Sequence, residues 1–285
     1  MNPIQEPIRV LFEKLNLLYF QIIYFQKRIE SLEETIRSRV EKNENFEIKD
    51  LVHVTALPIT DLTGPTDDGW LYSYPSGSHS VKGEEYIEQL DWFIQKEASL
   101  TVRQGYEIFE TYLYDMTAAY YYHNQDELQT EIFEDHLPDK SIYELEQFQS
   151  AVRGFFRRKN NSKLISFLRK LGINLEKAES ERYNNRALNY IDWFAVTTQL
   201  RHGTTHKLDE IDKKGLDKLS ENQRKLLQEV YPGEFKENIY KLKLTPKSAK
   251  TALSRYVEYG FAIFKSLSLK HGYKWEFLLK NKPAN

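Results

Sequence analysis

Residues 100–122, LTVRQGYEIFETYLYDMTAAYYY, carry large apolar side chains at three- and four-residue spacing, which is the period of an α-helix with a buried face. So many large side chains in one segment predict a helix at the centre of a core. The three consecutive tyrosines, Tyr120, Tyr121 and Tyr122, have two interpretations. At least one ring belongs to the core, and an exposed ring would be able to stack on a nucleic-acid base.

Helical periodicity continues on both sides of this segment. Residues 7–44 predict one long helix, either a strut of a bundle or an arm that packs on another subunit. Residues 84–97 predict a second helix before the central one, and residues 141–148 begin another after it. Ser180 is expected to cap the helix whose apolar stripe runs into Arg201.

The last long helix has a clear start signal, and a polar, lysine-rich connection to Leu242 precedes it. Thr245 is expected as the N-cap and Pro246 in the first turn. In contrast, residues 46–82 are rich in turn signals such as Gly64-Pro65. Within them, residues 51–57 and 70–74 predict either short strands or ordered loop.

These patterns predict an all-α fold with an irregular segment near its amino-terminal end. We divide the chain into an N-terminal helical extension (1–45), an irregular insertion or linker (46–82) and a helical domain (83–285). The 285 residues are 40% hydrophobic and 14% aromatic, which is too apolar for wholesale disorder.

Composition and missing motifs exclude several function classes. The chain has no cysteine, which rules out disulfides, thiolate metal sites and cysteine nucleophiles. Its net charge of -2 argues against coating nucleic acid by bulk electrostatics, although a local basic groove is compatible with it. No phosphate-binding glycine loop occurs, and the remaining histidines are not at metal-ligand spacing. No signal peptide or membrane span is recognisable, so we expect a cytoplasmic protein without a membrane partner.

Residues 200–206, LRHGTTH, concentrate the groups that cleave a ribose phosphodiester. Histidine transfers protons near neutral pH, as attack by the 2′-hydroxyl and departure of the 5′-oxygen require. Arginine is always charged and its planar fork donates to two phosphate oxygens. No metal is needed when the 2′-hydroxyl is the nucleophile.

The spacing of Arg201 and His206 does not place them on one face of a straight helix, because five residues turn by about 140°. Gly203 and the two threonines favour a distortion or a helix end at this point. Alternatively, both side chains lean into a cleft that faces a second copy of the chain. A two-fold interface would then bring two Arg–His sets together.

The arrangement of an arginine, a polar residue, three further positions and a histidine resembles the motif of the HEPN superfamily (higher eukaryotes and prokaryotes nucleotide-binding). Arg201, His202 and His206 match it, and the resemblance covers residues 84–279. Some toxin members carry an aromatic residue two positions after the histidine. Leu208 stands there, which disfavours that subgroup.

The resemblance implies a HEPN-like helical bundle that forms a homodimer. It also implies an endoribonuclease that cleaves RNA without a metal ion or another cofactor. Arg201 would stabilise the phosphorane, His206 would act as general acid or base, and His202 would assist. The products would carry a 2′,3′-cyclic phosphate and a 5′-hydroxyl. The family connection also implies a toxin or antiviral defence system, with an antitoxin or sensor protein as partner.

A basic stretch and three acidic residues are secondary candidates. Arg153, Arg157, Arg158 and Lys163 interleave with apolar residues, which indicates either an amphipathic helix-turn-helix with a solvated face or an RNA-binding flank. The acidic residues on the central helix are expected either to orient Arg201 or to form ordinary ion pairs. They are Glu107, Glu110 and Asp115.

Two other functions are compatible with the same sequence. A bundle with a degenerate motif would serve as a dimerisation scaffold or would bind RNA or protein without turnover. A helical interaction protein would instead use residues 1–45 to capture its partner.

Overall fold

Helices make up most of the chain in this computed structural model, in agreement with the predicted mainly α-helical class. The structure describes residues 2–47, 58–65, 67–75, 81–128, 136–137, 144–156, 161–180, 189–206 and 209–276. The helices are α1 (Gln5–Val40), α2 (Gly83–His123), α3 (Leu145–Phe156), α4 (Asn161–Leu171), α5 (Leu175–Ser180), α6 (Tyr190–His206), α7 (Lys213–Leu216), α8 (Glu221–Val230) and α9 (Pro246–Lys270). The strands are β1 (Pro58–Pro65), β2 (Leu71–Pro75), β3 (Glu210–Ile211), β4 (Gly233–Lys236) and β5 (Ile239–Leu242).

The first and last helices form where their sequence signals predict. Helix α1 covers most of the predicted segment 7–44. Helix α9 begins with Pro246 in its first turn, and the Thr245 side chain accepts a hydrogen bond from the Ser248 amide at 3.2 Å. The side chain of Ser248 in turn accepts one from the Thr245 amide at 2.8 Å, which completes a capping box.

Three expectations about the elements were wrong. Residues 83–123 form one helix rather than two, because no proline or glycine interrupts the chain between Glu97 and Leu100. Ser180 is the last residue of α5 and does not cap the next helix. The segment before Leu242 is no simple connection, since its described residues contain two helices and a three-stranded antiparallel sheet in the order β3-β5-β4.

The chain divides into two compact units, of which residues 24–95 form the smaller. Its buried cluster consists of Ile29, Ile36, Phe46, Val81 and Leu90. Strands β1 and β2 of this unit pair as an antiparallel hairpin, so the strand interpretation of residues 70–74 is confirmed in essence. Residues 51–57 lie outside the described part of the chain.

The larger unit, residues 1–23 and 96–285, has an aromatic core between α2, α6 and α9. The ring of Phe109 lies 5.7 Å from that of Phe194, 5.4 Å from Tyr256 and 5.6 Å from Tyr259, measured between centroids. Tyr120 and Tyr121 are fully buried, which confirms the core interpretation for both rings. Helix α6 contributes Trp193, Phe194, Val196 and Leu200 to this core.

Among the described residues, no helix combines the length and the apolar character that crossing a membrane requires.

Candidate active site

Helix α6 carries the motif in its last two turns. Asn189 caps its start, because the Asn189 side-chain oxygen accepts hydrogen bonds from the amides of Ile191 (2.8 Å) and Asp192 (3.3 Å). The helix continues through Gly203 and the two threonines to His206, so the distortion or helix end expected at these residues is not observed. Arg201 and His206 therefore lie on one continuous helix, five positions apart.

The Arg201 side chain is half-buried and its guanidinium lacks an acidic partner among the described residues. Its Nε atom is buried and has no hydrogen-bond partner among the residues that the structure describes. Its Cζ atom lies 5.9 Å from the centroid of the Tyr106 ring, within the range of a cation–π contact. A buried guanidinium nitrogen normally donates a hydrogen bond, so this environment is incomplete without an acceptor.

Tyr106 is the residue that sequence reasoning missed at this site. It is buried on α2, and its ring stacks on Phe194 with centroids 5.7 Å apart and planes inclined by 11°. Its hydroxyl lies 3.4 Å from that of Thr198. Phe194, Thr198 and Arg201 follow one another at helical spacing, so one face of α6 contacts this tyrosine along two turns. The helical spacing of these three residues indicated that they share a face of α6, but it did not identify α2 as the helix that this face contacts.

Gly203 joins the end of α6 to the small sheet. A β-carbon at this position would lie 2.6 Å from the carbonyl oxygen of Glu210 in β3, which is closer than side chains allow. Farther along, Asp209 accepts a hydrogen bond from Lys96 of α2. The glycine thus packs α6 against β3, and the ion pair connects Asp209, the residue before β3, to α2.

The two motif histidines differ in what the structure describes. His202 is exposed, one position after Arg201. The side chain of His206 lies outside the described part of the chain, although its backbone forms the last residue of α6. The predicted meeting of Arg201 with His206 therefore stays a prediction.

The acidic residue Asp115 does not orient Arg201, because it forms an ion pair with Arg153 in which Nη2 and Oδ1 are 3.0 Å apart. Burial raises the pKa of the Asp115 carboxyl, and Arg153 opposes that shift. Glu107 is exposed and Glu110 is half-buried, both on the same helix. The ion-pair interpretation is thus correct for Asp115.

Two of the four predicted RNA-binding residues lie in the described structure, Arg153 on α3 and Lys163 on α4. Lys163 is exposed, whereas Arg157 and Arg158 lie outside the described residues. Burial raises the pKa of Tyr114, with Glu110 and Tyr106 adding to the shift and Arg153 opposing it.

Within the described ranges, no group of three or more histidine, aspartate and glutamate side chains is arranged to hold a metal ion. Comparison with protein-family models, curated proteins and solved structures finds no match to this chain. The resemblance to the HEPN superfamily therefore rests on residues 201–206 and their surroundings.

Proposed function

We propose that this chain is a metal-independent endoribonuclease that cleaves RNA by attack of the 2′-hydroxyl on the neighbouring phosphate. The site is built around Arg201, and a homodimer supplies the second set of motif residues. A HEPN-like bundle is the proposed fold family, and a cytoplasmic toxin or antiviral defence system is the proposed setting, with an antitoxin or sensor protein as partner.

The environment of Arg201 carries the proposal. A structural arginine in a half-buried position is normally neutralised by a carboxylate, because an unpaired charge loses solvation there. Among the described residues, Arg201 has instead an aromatic ring on one side and no carboxylate that neutralises its charge. A bound phosphate would neutralise that charge.

The carboxyl-terminal position of the motif adds a constraint. Helix α6 ends at His206 and presents the partially negative end of its dipole there. A phosphate at this end receives no help from the helix, so side-chain cations have to hold it. Arg201 would stabilise the crowded phosphorane, and His206, assisted by His202, would transfer the protons.

A single copy offers one His206, whereas the reaction needs both a base and an acid. Two copies related by a two-fold axis would supply one His206 for each proton transfer. A test of this composite site is to mix the wild-type chain with an excess of His206→Ala subunits. Because each mixed dimer would hold only one His206, the activity per wild-type subunit is expected to fall, and activity that stays proportional to the amount of wild-type chain would contradict a composite site.

The decisive experiment incubates the purified chain with single-stranded and structured RNA in EDTA. We expect cleavage that leaves 2′,3′-cyclic phosphate and 5′-hydroxyl ends. Arg201→Ala and His206→Ala should each reduce the rate by about 100-fold or more, as loss of one transition-state donor does. Arg9→Ala is the matched control, because Arg9 is exposed and paired with Glu6.

The possible outcomes separate this function from the alternatives. Undiminished cleavage by the Arg201→Ala, His206→Ala double variant would show that the activity belongs to another site. RNA binding without turnover, with retention of a dimer by the double variant, would favour the inactive scaffold. Loss of partner capture on deletion of residues 1–45, with the remainder folded, would favour the interaction protein.

A further inference from the structure

Beside the motif, helix α6 borders a cavity of about 190 Å³ that lies entirely within the larger unit. We call it the α6 cavity. Its lining includes Ala195, Thr198 and Gln199 from α6 and Tyr259 from α9. It is smaller than the roughly 300–1,000 Å³ of sites that enclose drug-sized ligands, so it has room for one ring system.

The α6 cavity lies on the face of the helix that leads to the motif. His202 follows Ala195 by seven residues, which is about two helical turns. His202 therefore occupies the same face, one turn beyond Thr198 and Gln199. Arg201 shares the Tyr106 ring with Thr198, whose hydroxyl lies 3.4 Å from the tyrosine hydroxyl. Thr198 thus lines the cavity and also approaches the tyrosine whose ring lies under Arg201.

The lining combines an aromatic floor with an unused amide. The aromatic residues Phe194 and Tyr259 and the aliphatic residues Ile165 and Leu219 line the cavity, and all four are buried. Gln199 is half-buried and has no hydrogen-bond partner among the described residues. An amide offers both a donor and an acceptor, which matches the edge of a nucleobase.

The charges at the cavity favour a ligand with an anionic end outside it. Lys218 is exposed at the mouth. The charge of Arg169 is neutralised by the fully buried Glu179, with Nε and Oε2 2.6 Å apart. The charge of Arg169 is therefore compensated, and Lys218 is the lining cation for which the described residues provide no acidic partner.

We propose that the α6 cavity binds a single nucleobase of the RNA strand, next to the phosphate held by Arg201. This rests on the proposed ribonuclease function for its biological meaning, but binding of a base is measurable without cleavage. A single-stranded base is splayed out of the helix and recognised by aromatic contact and by its polar edge, as this lining provides. The cavity would then select which base precedes or follows the cleaved bond.

The test titrates the four nucleoside 5′-monophosphates and inorganic phosphate into the full chain by isothermal calorimetry. We expect at least one nucleotide to bind more tightly than phosphate by about tenfold or more, the gain typical of base stacking. Ala195→Phe fills the cavity and should abolish that advantage. Ala178→Phe is the matched control, since Ala178 is also half-buried but lines a different cleft.

A second variant tests the same proposal if Ala195→Phe does not fold. Gln199→Leu keeps the side-chain volume but removes the amide, so it should change the order of preference among the four bases. The same variants are compared for the base preference of cleavage, read from the sequenced RNA ends.

The outcomes separate this inference from the proposed function. Nucleotide binding that is lost in Ala195→Phe, without cleavage by the wild type, would support the base site and refute the nuclease. Cleavage that requires Arg201 but has the same base preference in Ala195→Phe and Gln199→Leu would refute the base site alone. Equal affinity for phosphate and for all four nucleotides would also overturn it.

Discussion

Gly203 at the end of α6 approaches the backbone of Glu210 in β3 so closely that a β-carbon at 203 would lie 2.6 Å from the Glu210 carbonyl oxygen. Alanine normally stabilises a helix relative to glycine, by about 1 kcal/mol. At this position the contact is with backbone, which cannot rotate away. The motif glycine therefore has a packing role that is independent of catalysis.

We expect Gly203→Ala to lower the free energy of unfolding by about 1–3 kcal/mol, the usual effect of overpacking. Urea denaturation followed by circular dichroism measures it. Gly154→Ala in α3 is the control, because its added β-carbon would meet the His136 ring, which is able to move, at 3.1 Å. Gly203→Ala with stability at or above wild type would contradict the close contact.

Tyr106 should act as a positioning residue for Arg201. Tyr106→Leu removes the ring beneath the guanidinium, and a cation–π contact contributes about 0.5–2 kcal/mol, so cleavage should slow by about 2- to 30-fold. Tyr106→Phe retains the ring and should stay near wild type. The rates are measured with the RNA substrate used for Arg201→Ala.

A double-mutant cycle distinguishes this role from general destabilisation. In the Arg201→Ala background, Tyr106→Leu should have little further effect on the rate, because the group it positions is absent. An equal reduction with and without Arg201 would mean that Tyr106 acts on the fold alone. Thermal melts of all four proteins provide the necessary check of folding.

The parts of this fold that follow from sequence are those with long periodic signals. Helices α1 and α9 are long enough for their apolar spacing to be unambiguous, and Thr245-Pro246 marks the start of the second. Strands β3, β4 and β5 have two to four residues each, too few for a period to be recognised. The capping box of Ser220 and Gln223 was a local signal for α8 in this region.

The surroundings of the motif depend on contacts that are distant in sequence. Asp115 and Arg153 are separated by 38 residues, so their ion pair was not predictable from helix spacing. The same holds for Tyr106 and Arg201. The sequence identified Arg201 as a residue able to bind phosphate. It did not show that the described structure has no carboxylate beside Arg201.

The buried hydroxyl of Tyr256 offers a test of the core. The side chain is fully buried and its hydroxyl has no hydrogen-bond partner among the described residues. Burial raises the pKa of this phenol well above its ordinary value. Because an unsatisfied buried hydroxyl costs about 1–3 kcal/mol, Tyr256→Phe should stabilise the protein by about 1 kcal/mol or more.

Tyr112→Phe is the matched comparison, because the Tyr112 hydroxyl donates to the Gly260 carbonyl oxygen at 2.6 Å. Its removal leaves a buried carbonyl without that donor and should destabilise by about 1–3 kcal/mol. The two free energies of unfolding, measured in urea, are expected to change in opposite directions. A loss of stability in Tyr256→Phe would show that its hydroxyl has a partner.

Glu127 should make stability depend on pH in the acid range. Its Oε2 atom accepts hydrogen bonds from Lys270 at 2.5 Å and from Tyr120 at 2.6 Å. Burial by itself would raise the pKa of Glu127, but these two hydrogen bonds, together with attraction to Lys270 and His271, outweigh it, so the pKa lies below its ordinary value of 4.5. A carboxyl with a lowered pKa in the folded state stabilises that state fully above its unfolded pKa.

This contribution should be lost progressively as the pH falls below about 4.5 and through the folded pKa. Glu127→Gln lacks the charge, so its melting temperature should lie below that of wild type at pH 7 and approach it in acid. Glu221→Gln is the control, because Glu221 is exposed and pairs only with the neighbouring turn through Lys225. Thermal melts between pH 3 and pH 7 measure the difference in melting temperature between wild type and each variant. If the difference for Glu127→Gln is constant across that interval, the Glu127 carboxylate does not titrate there, and its assigned pKa shift is refuted.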